Sequence, residues 1–381
     1  MKKKLLLLTD WYEPGYKAGG PIQSTRNFVA GMHQLYDISV LTSSHDLGEE
    51  KPYAGIPENQ WIDRAPGIKI FYASPGSLKI NVLLSLIQSV APDFIYLNSL
   101  YSYRFSILPV LLYKRKKIQA QIILSPRGML RESAIQYKSV KKKTFIAWMN
   151  LMRMPQFIRF HATDDQEMKD IQHYFPRAQK AALISNFSAA LPPELKPIQK
   201  NVGQLRCVYI SRILPIKNLV FFMEVLKKVP PDIQLLFSIF GDIEDEKYWQ
   251  LAQAMIPTLP DHIKITYGGS LPHAEVIPAM EANHLFVLPT LGENFGHAIF
   301  EAWSAGRPSL ISDKTPWHQL KKQLTGWDLP LENERPWVNA LIEAGNWNQQ
   351  SFDSWSRASR EFASRHVDQF NLSQSYIKLF S

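Results

Sequence analysis

Short apolar runs alternate with longer segments of helical period along nearly the whole of this 381-residue chain, and that alternation constrains the fold more than any other feature. Runs that are apolar on both faces fit strands buried in a parallel sheet, and the stretches between them fit the helical crossovers such strands need. In the first half the spacing predicts strands at 5–9, 38–41, 68–72, 94–97, 121–124, 158–161 and 182–184, and helices at 23–35, 80–90, 105–116, 134–152 and 164–174. A second series predicts strands at 206–210, 233–240, 263–267, 285–288 and 309–311, and helices at 219–228, 248–255, 274–282 and 298–305. Helical period dominates from Pro336 onward. Between the two series lies Ala189-Ala190-Leu191-Pro192-Pro193-Glu194-Leu195-Lys196-Pro197. Three prolines so close together suit neither a helix interior nor a central strand.

The expected fold is therefore α/β, with two doubly wound Rossmann-like domains facing each other across a cleft. The boundaries read as residues 1–188, a linker 189–200, a second domain 201–362, and a C-terminal helix 363–381 that packs back on the first domain. Crossovers in such sheets are right-handed, and ligands sit outside the carboxyl ends of the strands. Chemistry is thus expected at strand-to-loop junctions.

Composition narrows the class. Apolar residues make up 45% and charged residues 20%, enough for each half to build its own core. Cys207 is the one cysteine, so no intramolecular disulfide can form, and its apolar surroundings make it a core residue. The start, Met1-Lys2-Lys3-Lys4-Leu5-Leu6-Leu7-Leu8, breaks off at Thr9-Asp10 and reads as a first buried strand, not a leader. No run approaches the roughly 18–20 apolar residues of a membrane span, so the chain is expected to be cytoplasmic.

The net charge is +9, and it is concentrated: residues 101–160 hold thirteen Lys or Arg against the single acid Glu132. Lys114-Arg115-Lys116-Lys117 and Lys141-Lys142-Lys143 are the densest clusters. Nucleic acid, anionic lipid, a phosphorylated acceptor and a plain solvated face each account for such a zone.

The most informative segment runs from Pro289 to Pro308, out of a buried strand and into a helix. It holds Glu293-Asn294-Phe295-Gly296, then Glu301-Ala302, then Gly306-Arg307-Pro308. Glu293 is expected in the loop, and Glu301 inside the helix. The amides of Asn294, Phe295 and Gly296 fall near the helix start, where unpaired N–H groups and the helix dipole both favour an anion. A capped helix would explain Glu293, but an acid placed among Phe300, Ala302 and Trp303 needs a partner or a polyhydroxylated ligand.

This segment resembles the E-x7-E signature of the large group of retaining glycosyltransferases with the two-domain GT-B fold. Asn294 stands where a glycine is usual. The resemblance implies that Glu293 contacts donor-sugar hydroxyls, that Glu301 holds the ribose hydroxyls of a nucleotide, and that Asn294, Phe295 and Gly296 face the sugar and diphosphate. A second segment, Tyr209-Ile210-Ser211-Arg212-Ile213-Leu214-Pro215-Ile216-Lys217-Asn218, is similar to the group's Gly-Arg-Leu-x-x-x-Lys-Gly element. It implies that Arg212 and Lys217 converge on the diphosphate, where two cations stabilise charge building on a leaving group. Ser211 and Asn218 stand at its glycine positions. Asp10-Trp11-Tyr12-Glu13-Pro14-Gly15-Tyr16-Lys17-Ala18-Gly19-Gly20-Pro21 resembles the group's glycine-rich loop, with Gly19 and Gly20 allowing close backbone approach to the donor. Tyr267-Gly268-Gly269-Ser270-Leu271 matches the region near the nucleobase, which adds Gly269 and Leu271. Ser125-Pro126-Arg127-Gly128-Met129-Leu130 and His161-Ala162-Thr163 are looser matches that put Arg127 and His161 near donor sugar or acceptor. Ile184-Ser185-Asn186-Phe187 departs from the usual Pro-Asn-Gly and carries over no role.

The implied reaction is metal-independent transfer of a sugar, with retention, from a nucleoside-diphosphate sugar to a glycan or lipid-linked acceptor in surface-polysaccharide assembly. No Asp-x-Asp motif and no ligand-spaced histidine pair appear, so neither a metal nor a further cofactor is expected. The basic zone, with Phe145, Trp148 and Met152 beside it, is expected to touch anionic lipid at the inner face of the cell membrane. Two rivals stand. A related GT-B nucleotide-sugar epimerase would release free product without an acceptor. A basic nucleic-acid-binding protein would bind random DNA in a salt-sensitive way, but no recognisable nucleic-acid motif is present.

Overall fold

The computed structural model describes residues 2–136, 139–369 and 372–381. The predicted helix 134–152 crosses residues 137 and 138, and the helical pattern at the end of the chain crosses 370 and 371; these positions, with residue 1, lie outside the described residues. Two compact units emerge: Met1–Phe187 with Asn371–Ser381, and Ser188–Phe370.

Among the described residues the first unit carries an eight-stranded sheet. Its strands are β1 (Lys3–Leu8), β2 (Tyr36–Ser43), β3 (Trp61–Ala65), β4 (Ile68–Ala73), β5 (Phe94–Leu97), β6 (Gln121–Leu124), β7 (Arg159–Ala162) and β8 (Lys180–Leu183). The order is β3-β4-β2-β1-β5-β6-β7-β8, all parallel except the β3–β4 pair. Leu5, Leu6, Leu7 and Leu8 are fully buried, which is the fate of a central strand covered on both faces. The antiparallel edge strand β3 has no counterpart among the predicted strands. Its last three residues are exposed, so no apolar run marks it.

The second unit holds β9 (Gln204–Ile210), β10 (Gln234–Phe240), β11 (Ile263–Tyr267), β12 (Leu285–Leu288), β13 (Ser309–Ser312) and β14 (Gly326–Leu329). The order is β11-β10-β9-β12-β13-β14, parallel throughout. Strand β14 likewise has no counterpart among the predicted strands, because Gly326 and Asp328 are poor strand formers. Gly326 is required there: a Cβ would meet the Ser309 carbonyl oxygen at 1.9 Å. In both sheets the strand order reverses beside the first strand, next to β1 and next to β9, which creates a switch point in each unit.

The proline-rich stretch is not a loose tether. Arg307, 1% exposed, donates from Nη2 to the carbonyls of Lys196 (2.9 Å) and Glu281 (2.8 Å), and burial pulls its pKa down to about 10. Arg360 donates to the carbonyls of Ser304 and Pro192. Two buried or half-buried guanidiniums thus fasten 192–196 to the second unit, where carbonyls satisfy charges that burial would otherwise penalise. The C-terminal segment divides differently from the sequence reading. The helix Gln349–Gln369 stays with the second unit, and the helix Leu372–Leu379 belongs to the first. Phe380 there packs against the rings of Phe28, Tyr36, Phe94 and Tyr96 at 5.5–5.8 Å.

His161, placed near a substrate by resemblance, is a core group. It is fully buried, Nδ1 lies 2.7 Å from the Tyr96 hydroxyl, and Nε2 lies 2.8 Å from the Ile184 carbonyl. With both nitrogens engaged and no exposed surface, it acts by holding β5, β7 and the chain after β8 together. Burial, helped by the Arg127 charge, lowers its pKa to about 3.

Two predictions follow from this packing. Phe380→Ala is expected to destabilise the first unit by about 3–5 kcal/mol in urea unfolding, because four rings lose their shared partner. His161 stays neutral in the fold, whereas an unfolded histidine takes up its proton near pH ~6.5. Its contribution is therefore intact above that pH and is lost on acidification at about 1.4 kcal/mol per pH unit until the folded pKa is reached. His161→Gln should flatten this acid limb when the first unit's unfolding is followed against pH.

Candidate functional site

Parallel strands release all their carboxyl-terminal loops on one edge. In the second unit those loops are Ser211–Asn218 after β9, Gly241–Asp245 after β10, Gly268–Pro272 after β11, Pro289–Gly296 after β12 and Asp313–Gln319 after β13. Backbone hydrogen bonds tie them into a continuous rim. Ile213 N donates to Asp242 O (2.8 Å), Gly241 N to Gly269 O (2.8 Å), Leu291 N to Ile216 O (2.7 Å), and Glu293 N to Lys314 O (3.1 Å). Gly241 is indispensable to this arrangement. Its φ is +146°, and a Cβ would fall 1.9 Å from the Ser211 carbonyl oxygen.

Lys217 closes a short turn, Pro215–Lys217, and Asn218 follows with φ +56°. Asparagine tolerates that left-handed conformation better than most residues, so the replacement of glycine keeps the turn. The turn delivers Lys217 Nζ to 2.5 Å from Glu293 Oε2, with both side chains mostly buried. Two segments 76 residues apart in sequence therefore meet at the switch point beside β9. Arg212 takes a different partner, Glu244, at 2.5 Å, and both side chains are substantially exposed. Tyr209, fully buried below them, feels the charges of both Arg212 and Glu293, and burial pushes its hydroxyl pKa well up.

Glu293 lies in the loop and Glu301 inside the helix His297–Ser304. Gly296 caps that helix in the left-handed conformation, φ +78°. Phe295 is buried beneath it, and its carbonyl accepts from Trp317 Nε1 at 2.5 Å. Asn294 N lies 3.3 Å from Glu293 Oε1. Glu301 is 6% exposed, with Oε1 3.8 Å from Nδ1 of His273, which opens the helix after the β11 loop. Glu301 thus reaches the segment that carries Gly269 and Leu271. Gly269, φ +74°, has open space where a Cβ would stand, and Leu271 packs partly into the second unit's core. Arg212, Lys217, Glu293, Asn294, Phe295, Gly296, Gly269, Leu271 and Glu301 all belong to one rim or the helix leading from it.

The first unit has its own collection at strand ends. Gly19, φ +63°, precedes the helix Gly20–Met32, and nothing lies within 4 Å of where a Cβ would stand on Gly19 or Gly20. Their loop is held by Asp46, whose carboxylate accepts from the amides of Tyr16 (2.7 Å) and Lys17 (3.0 Å). Arg127 sits after β6 with φ +55°, a strained conformation for arginine. Its guanidinium donates to Asn98 Oδ1 (3.1 and 2.7 Å), to the Tyr96 hydroxyl (2.8 Å) and to Asn186 Oδ1. Glu167, fully buried, accepts from Gly128 N (2.5 Å) and from the Thr163 amide and hydroxyl (2.8 and 2.7 Å), and burial raises its pKa. Sequence reasoning passed over Asp46, Asn98, Glu167 and Trp317, and it gave no binding role to Asn186 or to Glu244, which it read as part of a solvated loop. For Glu167 a signal existed: Asp164 caps its helix by accepting from Glu167 N at 2.9 Å, an acid-at-N3 pattern.

Among the described residues, no group of three or more His, Cys, Asp or Glu side chains is placed to hold a metal ion, and no helix is long and apolar enough to cross a membrane. The basic zone differs from expectation in one respect. Phe145, Trp148 and Met152 pack against the first unit's core, and the apolar side chains that protrude from the helix Ser139–Leu151 are Val140 (77% exposed) and Leu151 (80%). Near its end an open hollow of about 350 Å³ is lined by Asn150, Leu151, Pro176 and Arg177.

Comparison with known proteins bears on the fold. Residues 204–345 match the family described as "Glycosyl transferases group 1". A stretch of 143 residues is 28% identical to O-antigen chain mannosyltransferase B of Escherichia coli, and the match covers 36% of this chain and 36% of that relative's length. Sucrose-phosphate synthase of Thermosynechococcus elongatus superposes with a TM-score of 0.70 over 100% of this chain and 99% of its own, at 15% identity. HepE of Anabaena, solved in complex with UDP and glucose, gives 0.68 over 99% and 98%, at 13% identity. The match to the group 1 glycosyl transferases is confined to residues 204–345, and the two sheets build the GT-B fold.

Proposed function

We propose that this chain transfers a sugar, with retention of configuration, from a nucleoside-diphosphate sugar to an acceptor, and that the rim of the second unit binds the donor. The observation that carries the reading is the contact between Lys217 and Glu293 at the switch point, 2.5 Å, which joins the two segments expected to serve diphosphate and sugar. The HepE structure, which holds UDP and glucose, and the curated mannosyltransferase support a nucleotide-sugar donor.

Each side chain has a part that its surroundings suit. Arg212 is paired with Glu244 in an exposed ion pair, and such pairs contribute only about 0–1 kcal/mol. A doubly charged diphosphate can therefore take the guanidinium at little cost and bind it through two oxygens. Lys217 and Glu293 are more enclosed, so the ammonium orients the carboxylate while it neutralises phosphate charge. Glu293 positions sugar hydroxyls and does not attack the anomeric carbon. Glu301, buried beside the loop after β11, accepts from ribose hydroxyls. As the bond from anomeric carbon to phosphate oxygen lengthens, positive charge spreads over the sugar ring and negative charge gathers on the diphosphate. Arg212, Lys217 and the amides of Asn294, Phe295 and Gly296 stabilise the latter without reorganising. The reaction needs no metal, since these cations and the helix start supply the neutralisation.

The acceptor in this proposal is lipid-linked, as part of surface-polysaccharide assembly, and the basic zone of the first unit rests on anionic lipid at the inner face of the membrane. Lys141 and Lys143 are exposed on the same helix as Val140 and Leu151, a combination suited to a charged interface.

Three measurements test these statements. A nucleoside diphosphate at 100 times its dissociation constant should stabilise the chain by about 2.7 kcal/mol in thermal unfolding, and the absence of any shift with every common base would sink the donor site. Arg212→Ala should lower turnover by roughly 10²-fold with little change in melting temperature; near-normal turnover would remove Arg212 from the mechanism. In co-sedimentation the chain should partition onto vesicles containing phosphatidylglycerol and leave neutral ones, and Val140→Asp with Leu151→Asp should abolish the difference.

A further inference from the structure

We infer that Trp317 is a positioning residue for the donor, because its indole fixes the direction of the backbone amide that Gly296 offers to the sugar-side phosphate. The inference rests on the nucleotide-sugar reading above. It concerns a residue outside both motif segments, in the loop after β13.

Trp317 Nε1 donates to the Phe295 carbonyl at 2.5 Å. The peptide joining Phe295 to Gly296 is trans, and in a planar trans peptide the carbonyl and the next N–H point in opposite directions. Turning the Phe295 carbonyl toward the indole therefore turns the Gly296 N–H away from it. Gly296 has φ +78°, and a Cβ there would fall 2.6 Å from Ile299 Cδ1 and 3.1 Å from Glu293 Cγ. The amide thus faces away from the indole, and in the donor reading above it is one of the three amides that meet the diphosphate.

The indole is well placed to impose this. Trp317 is 8% exposed and meets Trp303 edge-on at 5.0 Å, with His366 at 4.9 Å, Phe295 at 5.4 Å and Phe362 at 6.1 Å. Its backbone is held as well, since Trp317 N donates to Thr315 Oγ1 at 3.2 Å. Immediately before Thr315, the same loop anchors the other end of the donor loop: Glu293 N donates to Lys314 O at 3.1 Å. One loop thus sets both ends of the 293–296 segment. Among the aromatic residues packed around Phe295, the tryptophan is the one whose ring N–H reaches the Phe295 carbonyl.

The test uses the full chain and isothermal titration calorimetry with UDP, GDP, ADP and thymidine diphosphate, each against its own monophosphate. Trp317→Phe keeps a ring and loses the donor. It should weaken the diphosphate that the parent binds by about tenfold, as expected for a hydrogen bond to a charged group, and leave the matching monophosphate unchanged. Phe362→Leu disturbs the same cluster without touching the Phe295 carbonyl, and it should keep the parent's preference for diphosphate. Equal weakening of both nucleotides by Trp317→Phe, no weakening at all, or the same loss of preference in Phe362→Leu would each assign Trp317 to packing and overturn the inference. A parent chain that binds none of the four diphosphates would instead sink the donor reading itself, and the inference with it.

Discussion

All six strands of the second unit run in one direction, and everything proposed for the site depends on that constraint. A parallel strand must be followed by a crossover, so every loop at a carboxyl end emerges on the same edge. Five such loops then have to share one rim, and their backbone groups satisfy one another across it. The bond from Gly241 N to Gly269 O and that from Glu293 N to Lys314 O are instances. The charged residues do not gather by mutual attraction. They arrive together because the sheet leaves their loops no other edge, and Lys217 and Glu293 pair once they are there.

The two ion pairs of the rim differ in a way that matters for binding. Arg212 and Glu244 are open to water, so their attraction is screened and easily exchanged. Lys217 and Glu293 are more enclosed, and removing either partner would leave a partly buried charge behind. One pair is thus suited to release a cation to a ligand, and the other to hold a carboxylate in a fixed direction. Beneath them the aromatic cluster of Phe295, Trp303 and Trp317 gives the loop a rigid floor.

The first unit treats polar groups differently. Arg127 is surrounded by neutral acceptors from Asn98, Tyr96 and Asn186, while Glu167 is occupied by amides and a hydroxyl. His161 completes this network from within the core. The network links the carboxyl ends of β5, β6 and β7 with the chain after β8, so it fixes the shape of that edge whatever the edge binds. A resemblance based on position alone could not separate a ligand-contacting histidine from one that holds strands together.

The α/β class, the two series of strands, the single buried cysteine and the second unit's motif segments are all legible along the chain. Apolar runs and helical period are local properties, so they can be read residue by residue. The features the sequence left open all depend on contacts between distant residues. Strand β14 exists because Gly326 fits against Ser309, and β3 because an exposed segment finds an edge to pair with. The proline-rich stretch is fastened by Arg307 and Arg360, which no local pattern announces. His161 became a core residue, and Trp317 became the partner of Phe295, only when the chain folded back on itself. Burial and the direction of a hydrogen bond are set by what lies across the fold, and that information has no local signature.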